Sequence, residues 1–448
     1  MENGMFDMII SGGTVVNADG EARVDVAIIG EHIAALLGPG DAPQARVVID
    51  VAGCHLLPGL VDAHVHLREP GLTHKEDFES GTRAAALGGV TAVLDMPTDE
   101  PWTATADQLA DKMAMARGRI HVDVGFQAVL ARDLGLAEKL LSLRPVSLEL
   151  FTADVPGAFR FQTMDDVANT MRRLAGCDTV IGISPGDQSI LEGSAISHPA
   201  GDIAAFLDSR PPLAEAGGVA RAILAAAETG SCIHVRQINS VLGISTWRRL
   251  RELADATVET TPQNLFFNAE DYRTAGAKLK GSPPLRGARD VAALRAALSD
   301  GLIDIVATDH APHSPAEKAM TYPAFADIPG GMPGLQTLLQ TMLILVEEKV
   351  IGLPDLVRMC ARNPARRFGL DRSKGAIAPG RDADILVVDQ RRPSVISNVE
   401  QASRAAYTPF DGWQAPATLT RVFLRGREIV RNGAITAAAS GRVIQREI

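Results

Sequence analysis

Two histidines two residues apart, His64 and His66, close an apolar run that starts near Pro58 and opens into the polar loop Leu67-Arg68-Glu69-Pro70. On a β-strand, side chains at i and i+2 share a face, ~6.6 Å apart at a rise of ~3.3 Å per residue. Two imidazoles projected from a strand end make a natural half of a metal site. A second stretch, Ile305-Val-Ala-Thr-Asp309-His310-Ala-Pro-His313, ends an apolar run in a carboxylate, followed by a tight turn and another histidine. A carboxylate so placed can bind a cation and shuttle a proton. A lone His-x-His is more often two ordinary polar residues of an alternating strand, and a lone Asp is commonly a helix N-cap. The strand–Asp–Pro–His arrangement favours the chemical reading for Asp309.

Such residues need rigid strands to aim them. Between about Leu60 and Leu370 short apolar runs alternate with helical patterns. The strands expected are Leu60–His64, Val90–Asp95, Val122–Val129, Val146–Phe151, Thr179–Ser184, Cys232–Gln237, Ala256–Thr260 and Asp304–Asp309. Between them lie amphipathic stretches such as Glu79–Leu87, Thr105–Arg117, Gly218–Thr229, Val241–Ala254 and Val291–Ser299. Eight strands alternating with helices predict an α/β chain built as a (β/α)₈ TIM-like barrel, whose chemistry sits at the C-terminal strand ends. His64, Asp95, Glu149, Ser184, Gln237 and Asp309 all fall there or close by. The first fifty-odd residues and the region after Asp384 are instead β-rich, punctuated by turns such as Asp19-Gly20, Arg425-Gly426 and Asn432-Gly433. The two ends are expected to complete one small β-sandwich between them.

Composition narrows the function. With 46% hydrophobic and 22% charged residues the 448-residue chain is a globular protein. A net charge of −10 argues against non-specific nucleic-acid binding and gives no reason to expect a membrane partner, and 4% aromatics is too few for base-stacking platforms. Cys54, Cys177, Cys232 and Cys360 form no Cys-x-x-Cys pair, no signal peptide is visible at the N-terminus, and no apolar run approaches ~20 residues. The expected location is the cytoplasm.

The chain resembles the amidohydrolase superfamily, in the cyclic-amidohydrolase branch of dihydroorotases, allantoinases and hydantoinases. The resemblance lies in Pro58–Pro70, Ser80–Thr91, Leu94-Asp-Met-Pro97, Ser282-Pro-Pro-Leu-Arg286, Thr308–His313 and Gly375–Ile385, in family order over nearly the whole chain. It implies a barrel over residues 59–370 carrying a discontinuous β-sandwich domain from residues 1–58 plus 371–448. It also implies two divalent metals. One is bound by the His-x-His pair and the strand 8 aspartate, matched here by His64, His66 and Asp309. The other is bound by histidines of strands 5 and 6, with a carboxylated lysine, or an aspartate in some dihydroorotases, bridging from strand 4. Glu149 stands in place of that lysine, as a metal ligand or as an ordinary barrel salt-bridge residue. The strand 5 and 6 positions hold Ser184 and Gln237, poor ligands for a transition metal. One tightly held metal, zinc, is therefore expected, with the second site empty or weak. His234 reads as a satisfied core histidine, and His198 as a loop residue of unassigned placement.

For the substrate, Arg68 matches the arginine that dihydroorotases aim at the substrate carboxylate, and His313 the histidine that assists it. The alternative for Arg68 is a salt bridge to Glu69 or Glu76. Thr98 and Ser282 stand where dihydroorotases usually carry asparagine. The expectation is a dihydroorotase-like, metal-dependent hydrolase of a cyclic amide, imide or ureide C–N bond. Its substrate would be an anionic ring, and Asp309 would move the proton. A divergent ring substrate is one variant of that reading. The alternative is a catalytically inactive dihydroorotase-like protein with an assembly role, for example beside an aspartate transcarbamoylase. Family analogy implies a homodimer or homotetramer.

Overall fold

The computed structural model describes residues 5–38, 41, 43–177, 179–197 and 201–447. Eight parallel strands follow one another around a nearly closed barrel: Leu60–Val65 (β1), Val90–Asp95 (β2), Asp123–Val129 (β3), Ser147–Phe151 (β4), Val180–Ser184 (β5), Ile233–Val235 (β6), Ala256–Thr260 (β7) and Ile305–Val306 (β8). The seam between β8 and β1 is made just past β8, where the His66 N–H donates to the His310 carbonyl at 2.8 Å. β6 and β8 are shorter than their apolar runs predict. Beyond them Gln237 and Asp309 turn into the left-handed region, with φ of 50° and 45°, which ends regular pairing.

Helices cover the outside where the 3.6-residue pattern predicts them: Phe78–Leu87 (α1), Ala106–Ala116 (α2), Pro212–Thr229 (α3), Val241–Leu250 (α4) and Ala288–Ser299 (α5). Asp77 and Thr105 cap α1 and α2, each side chain accepting an N–H from the first turn. Alternation along the strands sends one set of side chains outward against these helices and the other inward. The inward set is unusual in its upper layer. Val61, Ala63, Ala92, Leu94, Val180, Ile305 and Ala307 pack with Phe368 and Leu370 as an apolar floor. Above it lies a buried polar layer of Gln127, Glu149, His234, Arg236 and Glu259. Small neighbours make room for it. A Cβ on Gly182 would come 2.1 Å from a Glu149 carboxylate oxygen.

The two chain ends build β-sheets together. A seven-stranded sheet runs Ala434–Ile435, Arg427–Arg431, Thr418–Leu424, Ile385–Asp389, His55–Pro58, Thr14–Asn17, Gly20–Arg23, and a four-stranded sheet joins His32–Leu37, Asp25–Ile29, Phe6–Ser11 and Ala45–Asp50. Ile10, Val26, Ile28, Leu56, Ile385 and Phe423 share one core between them. The turn expected at Arg425-Gly426 is present, both residues having positive φ as a tight hairpin requires. Lys374 ties these sheets to the barrel. Its ammonium lies 2.6 Å from Asp123 of β3 and 2.8 Å from both Asp382 and Asp384. That carboxylate cluster therefore already holds a cation. Among the described residues no helix is long and apolar enough to cross a membrane.

Candidate active site

β1 carries His64 and, one residue past its end, His66; the turn after β8 carries Asp309. The two rings lie 5.4 Å apart, tilted by 46°. Both turn Nε2 toward the same oxygen of Asp309, at 3.3 Å for His64 and 3.2 Å for His66. The other ring nitrogens are tethered. His64 Nδ1 meets Glu259 at 2.5 Å, and His66 Nδ1 meets the Thr98 hydroxyl at 2.8 Å. Such outer partners fix ring orientation and tautomer and raise the basicity of the free nitrogen. Burial pushes His66 down to about 4, against its hydrogen bond to Asp309. Burial acts the same way on His64, but Asp309 and Glu259 outweigh it and leave that ring raised.

These three side chains fit a divalent ion. Tetrahedral ligands ~2.0–2.1 Å from zinc stand ~3.3–3.4 Å from one another, close to the 3.2–3.3 Å separations of both Nε2 atoms from Asp309. Among the described residues His64, His66 and Asp309 form one of two groups whose ligand atoms gather closely enough for an ion, the other being the aspartates around Lys374.

Glu149 lies outside that group. Its oxygens receive Arg236 NH2 at 2.7 Å and Nε at 3.2 Å, and the Ser147 hydroxyl at 2.6 Å. Arg236, from the end of β6, also donates NH1 to Glu259 at 3.1 Å and to the Ala63 carbonyl at 2.9 Å, and NH2 to Gln127. Burial would weaken its charge, but Glu149 and Glu259 more than compensate, and the guanidinium pKa is raised. His234 donates or accepts at Glu259 (2.9 Å) and Thr257 (2.8 Å), a satisfied core histidine. Gln237 gives its amide N–H to the second oxygen of Asp309.

The cavity above, of about 960 Å³ including its open mouth, is lined by His64, His66, Asp309, Arg236 and Gln237 at its base and by Ser184, Ser282, Arg210 and Arg286 among its walls. Arg68, Thr98 and His313 are not among its lining residues. Arg68 donates to the Pro312 carbonyl at 3.3 Å, while Glu69 pairs with Arg119, and Glu76 with Ser80, Ser403 and His310. His313 is held by Lys75 at 3.3 Å and by the Gly330 carbonyl at 2.9 Å. Burial, with Arg68, Lys318 and Lys75 nearby, pushes it down to about 3. His198 lies outside the described residues. Glu259 and Arg236 are the site residues that sequence reasoning did not single out. The available signal was a charged side chain in phase with the inward face of an apolar strand.

Residues 197–429 match the amidohydrolase family and residues 53–241 the dihydro-orotase-like family. A dihydroorotase of Halobacterium salinarum is 37% identical, covering 89% of this chain and 91% of its own. An allantoinase of Deinococcus radiodurans is 32% identical, covering 98% of this chain and 99% of its own. Among solved structures, the L-hydantoinase (dihydropyrimidinase) from Arthrobacter aurescens superimposes with a TM-score of 0.94 at 27% identity, covering 99% of this chain and all of that one.

Proposed function

The chain belongs to the cyclic-amidohydrolase branch of the amidohydrolase superfamily, with the dihydroorotases, allantoinases and hydantoinases, and we propose that it opens an anionic cyclic amide, imide or ureide at a single divalent metal, zinc. The observation that carries this reading is the convergence of His64 Nε2, His66 Nε2 and one Asp309 oxygen on a common point. Three protein ligands leave a coordination position open, as catalytic zinc sites require. When bound, the metal supplies Lewis acidity, which lowers the pKa of water and polarises a ring carbonyl.

The chain's own residues do the rest. Asp309 takes the proton of the attacking water and returns it to the departing ring nitrogen, so that the ring C–N bond breaks with the proton conserved. The Gln237 amide donates to the other oxygen of Asp309 and fixes the carboxylate plane. Glu259 and Thr98 keep the imidazoles aimed. Arg210 and Arg286 in the cavity wall, paired there with Asp154 at 3.1 Å and Glu215 at 3.9 Å, would be the cations that meet an anionic ring substituent. Arg68, whose charge acts on Asp309, would add positive charge from behind the cavity wall, with His313 beside it. Ser282, in the wall, offers a hydroxyl to the substrate.

Dihydroorotate, allantoin, hydantoins, dihydropyrimidines and cyclic imides, offered to the metal-reconstituted protein, test this. Turnover of one class, abolished by His64→Ala, is expected. Protein that takes up no metal on reconstitution and opens none of these rings would instead favour the inactive assembly role. The replacement of two ligand histidines by Ser184 and Gln237 is the observation behind that second reading.

A further inference from the structure

The polar layer beneath the cavity contains a charge that the proposed chemistry does not use. Arg236 is fully buried, yet it is among the residues that line the cavity with His64 and Gln237. All five of its N–H groups are engaged, on Glu149 twice and on Glu259, Ala63 and Gln127 once each. A fully satisfied guanidinium has no donor left for a substrate, so its contribution is charge and position.

We infer that the Arg236 guanidinium, clamped between Glu149 and Glu259, is a resident cation occupying the place that a second metal ion would otherwise take. Three features point there. First, Glu149 stands at the strand 4 position whose carboxylate would bridge two ions, and both of its oxygens are spent on Arg236 and Ser147. Second, Ser184 and Gln237 at the ends of β5 and β6 offer no imidazole, and the Gln237 amide is engaged with Asp309. Third, both carboxylates that flank the guanidinium, Glu149 and Glu259, are already paired with it, so a second divalent ion there would bring like charge beside Arg236 without a free carboxylate to offset it. The room is built for this arrangement, since any side chain at position 182 would collide with Glu149. Lysine would not serve as well, because three ammonium donors cannot match five acceptors in a fixed fork.

This role presupposes only that His64, His66 and Asp309 hold the first ion, within the hydrolase proposed above. It is tested by counting ions rather than by turnover, so the two can fail separately. The purified protein, exposed to excess Zn²⁺ or Co²⁺ and desalted, is expected to retain one equivalent; retention of two overturns the inference. The double variant Ser184→His/Gln237→His restores two imidazoles but keeps Arg236, and should still hold one. Adding Arg236→Ala should raise the count to two. A double variant that binds two ions, or a triple variant with a native circular dichroism spectrum that stays at one, also overturns it. Should the triple variant fail to fold, the wild-type and double-variant counts still decide. A guanidinium that served only as a core salt bridge would leave no such difference between the variants.

Discussion

His64 Nδ1 and a carboxylate oxygen of Glu259 approach to 2.5 Å across the barrel, from β1 to β7. Glu259 is fully buried, which by itself would raise its pKa, but Arg236 and His64 hold it well below the usual carboxylate range. An ionised Glu259 therefore joins the metal-ligand shell to the buried guanidinium through a single side chain.

Replacing that side chain tests the link. Glu259→Gln keeps the shape and removes the charge. Metal affinity should fall by about 10- to 100-fold, the usual loss when the outer partner of a ligating histidine is removed. Stability should fall by about 3–5 kcal/mol because Arg236 loses one of its buried partners. Chelator competition and urea denaturation read the two effects independently.

Thr98 permits a gentler experiment on the same shell. Thr98→Val removes the hydroxyl that meets His66 Nδ1 at 2.8 Å. Metal affinity should drop about 10-fold, toward the low end of that range, with the thermal midpoint within a few degrees of wild type. An unchanged zinc affinity would show that His66 is oriented by its strand alone.

Removal of the metal is expected to abolish ring opening and leave the fold intact, since the apolar floor and the polar layer do not depend on it. Dialysis against a chelator, followed by stepwise return of zinc, should restore activity in proportion up to one equivalent. Activity that rises only beyond that point would contradict the single-ion reading.

Away from the site, Lys374→Met should cost about 3–5 kcal/mol, because it leaves the buried Asp384 facing an apolar side chain and takes one of two cations from Asp123, which keeps only Arg425. Metal stoichiometry should not change. Chemical denaturation alongside metal analysis separates the two.

Lys318 sets a pH dependence. Burial first, then neighbouring Lys280, pushes its ammonium down to about 7, whereas in the unfolded chain it titrates near 10.4. Between those values the unfolded state binds the extra proton, so stability rises with pH across that window. Wild-type protein should gain stability from pH 7 to pH 9 relative to Lys318→Met, as measured by urea midpoints. A parallel pair of curves would disprove it.

The strand ends that carry His64, His66 and Asp309 were legible because each motif closes an apolar run, and the paired turns at the chain ends announced the terminal sheets. Four strands of those sheets were not: His55–Pro58 and Ala434–Ile435 are short, and two others lack a clear pattern. Gly20–Arg23 has no apolar alternation and is held by its hairpin to Thr14–Asn17. His32–Leu37 alternates buried and exposed residues, but too weakly to stand out. Glu149 was visible as a charged residue in the right strand, with its partner hidden. Arg236 lies 87 positions further along, and nothing local in either strand announces that the two meet. Glu259 was hidden for the same reason. A charge inside a barrel is explained only by the charge across from it.

Arg68, Gln237 and Asp309 share a further property, a left-handed backbone with φ between 45° and 62°. Such a conformation costs about 1–3 kcal/mol for a non-glycine residue and persists only where surrounding structure enforces it. Its consequence is a rule of replacement. Valine or isoleucine at these three positions would be excluded by the main chain before any chemistry was considered, while asparagine, aspartate and histidine adopt this geometry most readily. The side chains the backbone best tolerates are thus largely those that donate to metals, so at these positions the main chain would not be what stands against a new ligand.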